Sequence, residues 1–278
     1  MISDKIVRLA YVVAVAAAAA AYTSTADGQV IEKGLVHYWS FDKIDKDIVP
    51  DLVGKNDVEI IRGKSPPLLA GGRSDPKVVK GKLGTALEFD GDGDYAQSIE
   101  EIGITGSDPR TLSAWVKWNT KSDQFHVLVG WGWEGESGQA CKGELFCITT
   151  WHSNQITMWG VCNDHESRFG AKVGRWYHVT VTYDNKTELK IYVDGDDVVY
   201  NNAKVQPFQT GDGTRATFGK KIFTFADRAW ADGAVDEVAI YNRALDKGEV
   251  LANFKSKGFA VNPSAKLAVT WGSIKDFR

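Results

Sequence analysis

The chain has 278 residues, a formal charge of -3 from 33 basic and 36 acidic side chains, ten tryptophans and three cysteines. So mild an acidity offers no broad basic field for a phosphate backbone, which argues against nucleic acid as a partner. The length suits one large β-sandwich better than two ordinary domains, and the aromatic residues suffice for a sizeable core.

Asp4, Lys5 and Arg8 precede an uncharged apolar run from Leu9 to Ala21, with small residues following around Ser24 and Ala26. That run is shorter than the roughly 18 to 20 residues a membrane-spanning helix needs. Residues 1–26 are therefore expected to be a secretory signal cut after Ala26, leaving no membrane span and a secreted or surface-associated protein. Cleavage removes two basic residues and one acidic one, so the charge moves from -3 to -4. Export implies an oxidising compartment and one disulfide among Cys141, Cys147 and Cys162, and the spacing leaves open whether Cys162 pairs with Cys147 or Cys141. The spacing matches no common zinc arrangement.

After a spacer at 27–33, GLVHYWSFD at 34–42 reads as a first strand. Residues 43–80 hold Pro50, Pro66, Pro67 and Pro76 and read as surface loops, with one short strand at 58–61. GTALEFDGDGDYA at 84–96 gives a strand, a Gly/Asp turn and a second strand start, and TLSAWVKW at 111–118 is a strong strand. Further strands are expected at 125–130, 145–151 and 156–162. WYHVTVTYDNKTELKIYVDG at 176–195 is a hairpin whose return strand alternates Leu189, Ile191 and Val193 with Lys190, Tyr192 and Asp194. Strands at 216–219 and 234–241 complete the set. NRALDKGEVLANF at 242–254 carries the one helical pattern, and 261–278 is a tail that forms an added strand or a flexible end. Many short strands and almost no helix imply an all-β fold, a two-sheet antiparallel sandwich with one short C-terminal helix.

Asp90, Asp92 and Asp94 alternate with glycines, but position six of an EF-hand loop would be Tyr95, so a turn with aspartates accepting backbone N–H groups is expected instead. Trp131 and Trp133 are two apart, and Trp151 and Trp159 lie on the two arms of the next expected hairpin. If these four share an exposed aromatic face, sugar rings stack on it through their C–H surfaces, and they are the ligand-binding candidates. Catalytic chemistry finds no support in the residues. A glycosidase needs two carboxylates roughly 5 to 10 Å apart across a cleft; Glu134 and Glu136 fall in a glycine-rich loop and Asp194 and Asp196 in a turn. The five histidines show no H-E-x-x-H spacing, and no G-x-S-x-G elbow occurs. The expectation is that the protein is not an enzyme.

HYWSFD at 37–42, GTALEFDGDGDY at 84–95, TLSAWVKW at 111–118, the hairpin ending in YVDG at 195, and GAVDEVAIYNRALDKGEV at 233–250 together resemble the laminin G-like jelly-roll domains of the concanavalin A-like superfamily. The resemblance covers nearly all of residues 34–260 and implies a jelly-roll sandwich. It also implies a structural calcium ion between the first strand and a late one, and the matching acids are Asp42 and Asp236. The expected function is a non-catalytic, carbohydrate-binding module with a structural Ca2+. The alternatives are an adhesion domain that meets an extracellular protein and, behind it, a polysaccharide hydrolase or lyase.

Overall fold

The computed structural model describes residues 28–62, 75–121, 125–132, 143–186, 188–198, 205–220 and 230–259. The signal segment 1–26 and the tail 261–278 lie outside these residues. In chain order the strands are β1 Leu35–Trp39, β2 Ile48–Val49, β3 Val58–Ile61, β4 Lys77–Lys80, β5 Thr85–Asp90, β6 Tyr95–Ser98, β7 Arg110–Trp118 and β8 Val129–Gly132. They continue as β9 Leu145–Trp151, β10 Gln155–Trp159, β11 His165–Gly170, β12 Trp176–Tyr183, β13 Leu189–Val193, β14 Asp196–Asp197, β15 Thr217–Phe218 and β16 Asp232–Tyr241, before the helix α1 Lys247–Lys255.

The strands form two antiparallel sheets. The first runs β14-β13-β12-β7-β16-β5-β4, with β1 also on β16, and the second runs β11-β10-β9-β8-β15-β6-β3-β2. Alternation puts Leu112, Ala114, Val116 and Trp118 of β7 and Tyr177, Val179, Val181 and Tyr183 of β12 into the space between the sheets. There they meet Trp131, Phe146, Ile148, Met158 and Phe218 from the second sheet. This shared layer is the main core, and the expected sandwich is present.

The outer face of the first sheet is covered as well. Val30, Ile31, Tyr38, Tyr192, Tyr241, Leu245 and Val250 form a second cluster there, between the sheet, the N-terminal segment and α1. The helix starts five residues later than its sequence pattern suggests, because Asp246 caps it: its side chain accepts from the Glu249 N–H at 2.9 Å and the Glu249 carboxylate accepts from the Asp246 N–H at 3.0 Å. Arg243 clamps the same Glu249 through two bonds of 2.7 Å.

Two local features place the functional candidates. β16 is long enough that one edge pairs first with β5, through Asp232 to Val235, and then with β1, through Val238 to Tyr241. A bulge at Asp236 and Glu237, the latter at φ 52°, fills the gap between those two partners. In the other sheet, β9 and β10 are joined by His152, Ser153 and Asn154, all at positive φ, and Gln155 faces Trp151. The chain leaves the ladder after Trp159, and Val161 and Cys162 take φ values of 56° and 57°.

Candidate functional site

The expected shared face of four tryptophans does not form. Trp131 is 0% exposed and points into the core beside Phe146, with ring centroids 5.1 Å apart. It is a packing residue, because Gly130 and Gly132 carry the other face of β8 and leave Val129 and Trp131 as its only large side chains. Trp133 lies outside the described residues. Trp151 and Trp159 do share the outer face of the second sheet, and Phe125 links them, with centroids 4.5 Å from Trp151 and 4.0 Å from Trp159. His152 stacks on Trp151 at 3.8 Å, so these faces are engaged by protein rings, and Trp159 is only 6% exposed.

A cleft of about 420 Å3 opens instead farther along the outer side of the same sheet, lined by Gln97, Gly132 and the run Gly211 to Arg215. Sequence inspection passed over this run, GDGTR, because it has no periodicity; its glycines next to Asp, Thr and Arg were the only signal. Gly132 sits at φ 117°, and a Cβ there would collide with the Glu144 carbonyl oxygen, so the floor of the cleft is bare backbone. The loop is held at both ends. The Gly106 N–H donates to the Thr210 carbonyl at 2.7 Å, the Ile102 N–H to the Thr214 carbonyl at 3.0 Å, and Ala216 exchanges bonds of 2.9 Å with Ser98.

Beneath one end lies Arg110, 0% exposed. Its guanidinium donates to the Thr210 hydroxyl at 2.6 Å and to the carbonyls of Asp108, Thr105 and Gly106 at 2.7 to 3.0 Å. The rings of Trp131, Phe146 and Phe208 surround it at about 6 Å. Burial pushes its pKa down to about 10, so it keeps its charge at neutral pH. A buried cation persists only where its donors are satisfied, and here they tie the 105–108 turn to the base of the cleft loop. The cleft thus combines a carboxylate (Asp212), a guanidinium (Arg215), an amide (Gln97), a hydroxyl (Thr214) and exposed backbone, groups that donate to and accept from hydroxyls.

The acids Asp42 and Asp236 are brought together at the gap between β1 and β5. Asp236 is 0% exposed; its Oδ2 accepts from the Lys82 and Leu83 N–H groups at 2.8 and 3.0 Å. The Asp42 Oδ1 accepts from the Thr85 N–H at 2.8 Å. Gly84, at φ 53°, passes so close to Asp42 that a Cβ would strike its carboxylate. Burial lifts the Asp236 carboxyl to about 7, and the neighbouring Asp42 charge adds to the rise. Its Oδ1 is buried without a partner. That orphaned oxygen beside a second carboxylate fits a cation, although no group of three or more His, Cys, Asp or Glu suited to a metal occurs among the described residues.

The Asp90, Asp92 and Asp94 segment is a turn, as its sequence suggests: both Asp94 oxygens accept from the Asp90 N–H at 3.2 Å, and Asp90 accepts from the Asp92 N–H at 3.1 Å.

The profile of a laminin G family, described as the concanavalin A-like lectin/glucanases superfamily, matches residues 90–251. The chain belongs to that superfamily. Among solved structures it is similar to domain 4 of AbnA, a GH43 extracellular arabinanase from Geobacillus stearothermophilus, solved with arabinotriose. The TM-score is 0.55 at 17% identity, over 81% of this chain and 98% of that one. It is also similar to the Trypanosoma rangeli sialidase in complex with the inhibitor DANA, with TM-score 0.60 at 16% identity over 92% of this chain, and it spans 40% of that enzyme. The binding domain of Paraclostridial Mosquitocidal Protein 1 is a third, with TM-score 0.53 at 15% identity over 80% of this chain and 52% of that one. At such identities the likeness is one of fold. No curated protein matches the chain in sequence. No helix among the described residues is long and apolar enough to cross a membrane.

Proposed function

We propose that this jelly roll is an exported, non-catalytic carbohydrate-binding module whose ligand lies in the cleft of Gln97, Gly132 and Gly211 to Arg215. The observation that carries the reading is the make-up of that cleft. It has about 420 Å3 of space, room for an oligosaccharide segment, walls of alternating donors and acceptors, and a glycine floor that lets a ring approach the backbone. The arabinotriose complex of domain 4 of AbnA, which 98% of its length aligns to this chain, supports a sugar as the ligand class. Two carboxylates adjoin the cleft among the described residues, Asp212 in its lining and Glu101 beside Gly213, so the non-catalytic part of the reading rests on the sequence, which carries neither an H-E-x-x-H spacing nor a G-x-S-x-G elbow.

In this reading a calcium ion sits at Asp42 and Asp236 with a structural role. Backbone carbonyls and water complete its shell, as such hard ions accept, and the charge would relieve the buried Asp236 carboxylate. The sequence left the partner of Cys162 open, and Cys141 lies outside the described residues; in this reading the disulfide would join these two. Cys147 is 1% exposed in a packed cluster with Val127, Leu145 and Trp159, and the Gly143 N–H donates to the Val161 carbonyl at 3.1 Å, bringing the two flanking segments together. Peptide mapping of non-reduced protein checks that pairing.

A printed array of plant, bacterial and animal glycans tests the function. Binding to a discrete set of glycans is expected, and uniform silence at micromolar protein would reject the reading.

A further inference from the structure

Along β6, Tyr95 and Gln97 face the same side of the second sheet, two residues and about 7 Å apart. Gln97 lines the cleft. Tyr95, one step along, belongs to a half-buried platform: its ring lies 6.0 Å from that of Trp230, and the Lys220 ammonium sits 4.3 Å from the Tyr95 centroid and 5.8 Å from the Trp230 centroid. The backbones of Lys220 and Trp230 are bridged, which fixes the arrangement.

Lys220 forms no ion pair among the described residues, and neither does Arg215 at the cleft end of the same segment, in a chain whose net charge is negative. Burial lowers the Lys220 pKa. Two ring faces replace part of the water that a lysine ammonium ordinarily keeps. A cation in that state gains from any anionic oxygen brought to it. The acids nearby are Asp212 in the cleft, Glu101 beside Gly213, and Glu59, which stands opposite Gln97 on β3 and acts on Tyr95.

We propose that the groove selects an acidic glycan, with one unit in the cleft and a carboxylate or sulfate of the neighbouring unit paired with Lys220 on the Tyr95 and Trp230 platform. This rests on the carbohydrate reading above. The cleft hydrogen-bonds hydroxyls through Asp212, Arg215 and Gln97, while the platform supplies both an aromatic surface and the charge.

An array of uronate, sialylated and sulfated oligosaccharides, each printed beside its neutral counterpart, tests the proposal with the wild-type protein and the Lys220→Gln and Lys220→Arg variants. Acidic members should bind about tenfold tighter than their neutral partners, the worth of one charge-assisted hydrogen bond. Lys220→Gln should erase that preference, bringing acidic and neutral members to equal affinity, and Lys220→Arg should keep it. The carboxylated and sulfated arms identify which anion is used. Equal binding of acidic and neutral members, or a preference that survives Lys220→Gln, overturns the proposal and leaves the carbohydrate reading standing. Silence of both arms overturns the two together.

Discussion

The two sheets share one core but treat their outer faces in opposite ways. On the first, Ser113 and Thr180 hydrogen-bond at 2.8 Å, His178 contacts Ser113 at 3.1 Å, and α1 with the N-terminal segment closes over them, leaving about 10 Å3 of space. On the second, glycines on β8 strip side chains from the face, and the 211–215 loop walls a cleft some forty times larger. Polar residues alone therefore do not mark a site. The polar cluster under the helix pairs Ser113 with Thr180 and with the His178 Nε2 in a sealed layer that leaves the His178 Nδ1 buried without a partner, whereas the groups of the cleft remain open to solvent and to a ligand.

Substitution at Trp131 separates core from surface most sharply. Trp131→Ala should cost about 3 to 5 kcal/mol, as for other buried Trp truncations, whereas Trp151→Ala on the outer face should cost clearly less. Denaturant unfolding of both variants checks this, and equal losses would mean that Trp131 is not a core residue.

Calcium comes next. If Asp42 and Asp236 hold an ion, calcium at about a hundred times its dissociation constant should add about 2.7 kcal/mol over chelator-treated protein, and Asp42→Asn should abolish the gain. Identical melting with calcium and with chelator would remove the ion from the account.

The sealed face should respond to acid. Burial holds the His178 imidazole down at about 3, against an ordinary value of about 6.5. Below pH 6.5 the unfolded chain binds a proton that the folded chain refuses, so the stability present above 6.5 is lost as the pH falls toward 3. Between pH 6.5 and 5 the loss is about 2 kcal/mol. The comparison that isolates it is wild type against His178→Leu, whose unfolding midpoint should change less over that window; parallel curves would show that His178 is not held neutral.

The open face should show the reverse pattern, a large effect on ligand and almost none on stability. Asp212→Ala should weaken glycan binding about tenfold, from loss of hydrogen bonds worth about 1.4 kcal/mol. Its unfolding free energy should stay within about 0.5 kcal/mol of wild type, because the side chain is exposed. Calorimetric titration beside a melting curve measures both.

Strands were easy to read from the sequence, and faces were not. β-branched and aromatic runs bounded by turn residues located β3, β7, β9 and β12 almost to the residue although β7, β9 and β12 are buried nearly throughout, and alternation located β13. β4 escaped because Lys77, Val78 and Lys80 are mainly exposed on an edge, and β11 because His165, Ser167 and Phe169 carry no aliphatic alternation. The tryptophans misled for a local reason: equal spacing of Trp131 and Trp133 says that two side chains share a side, not which side, and Trp131 turned inward beside Phe146. Asp42 and Asp236 were legible only through family resemblance. Their meeting depends on β16 changing partners at a bulge, and nothing in a local pattern announces that. The cleft depends on where the loop before β15 returns to β6 and β8, a tertiary fact that GDGTR does not encode by itself.

The most direct test of the central claim is an amide chemical-shift map of isotopically labelled protein titrated with the glycan that binds best on the array. The account predicts perturbations concentrated at Gln97, Gly132 and residues 211–215, extending to Tyr95 and Lys220. Shifts centred on Trp151, Trp159 and their hairpin, or on the helix-covered face, would contradict it.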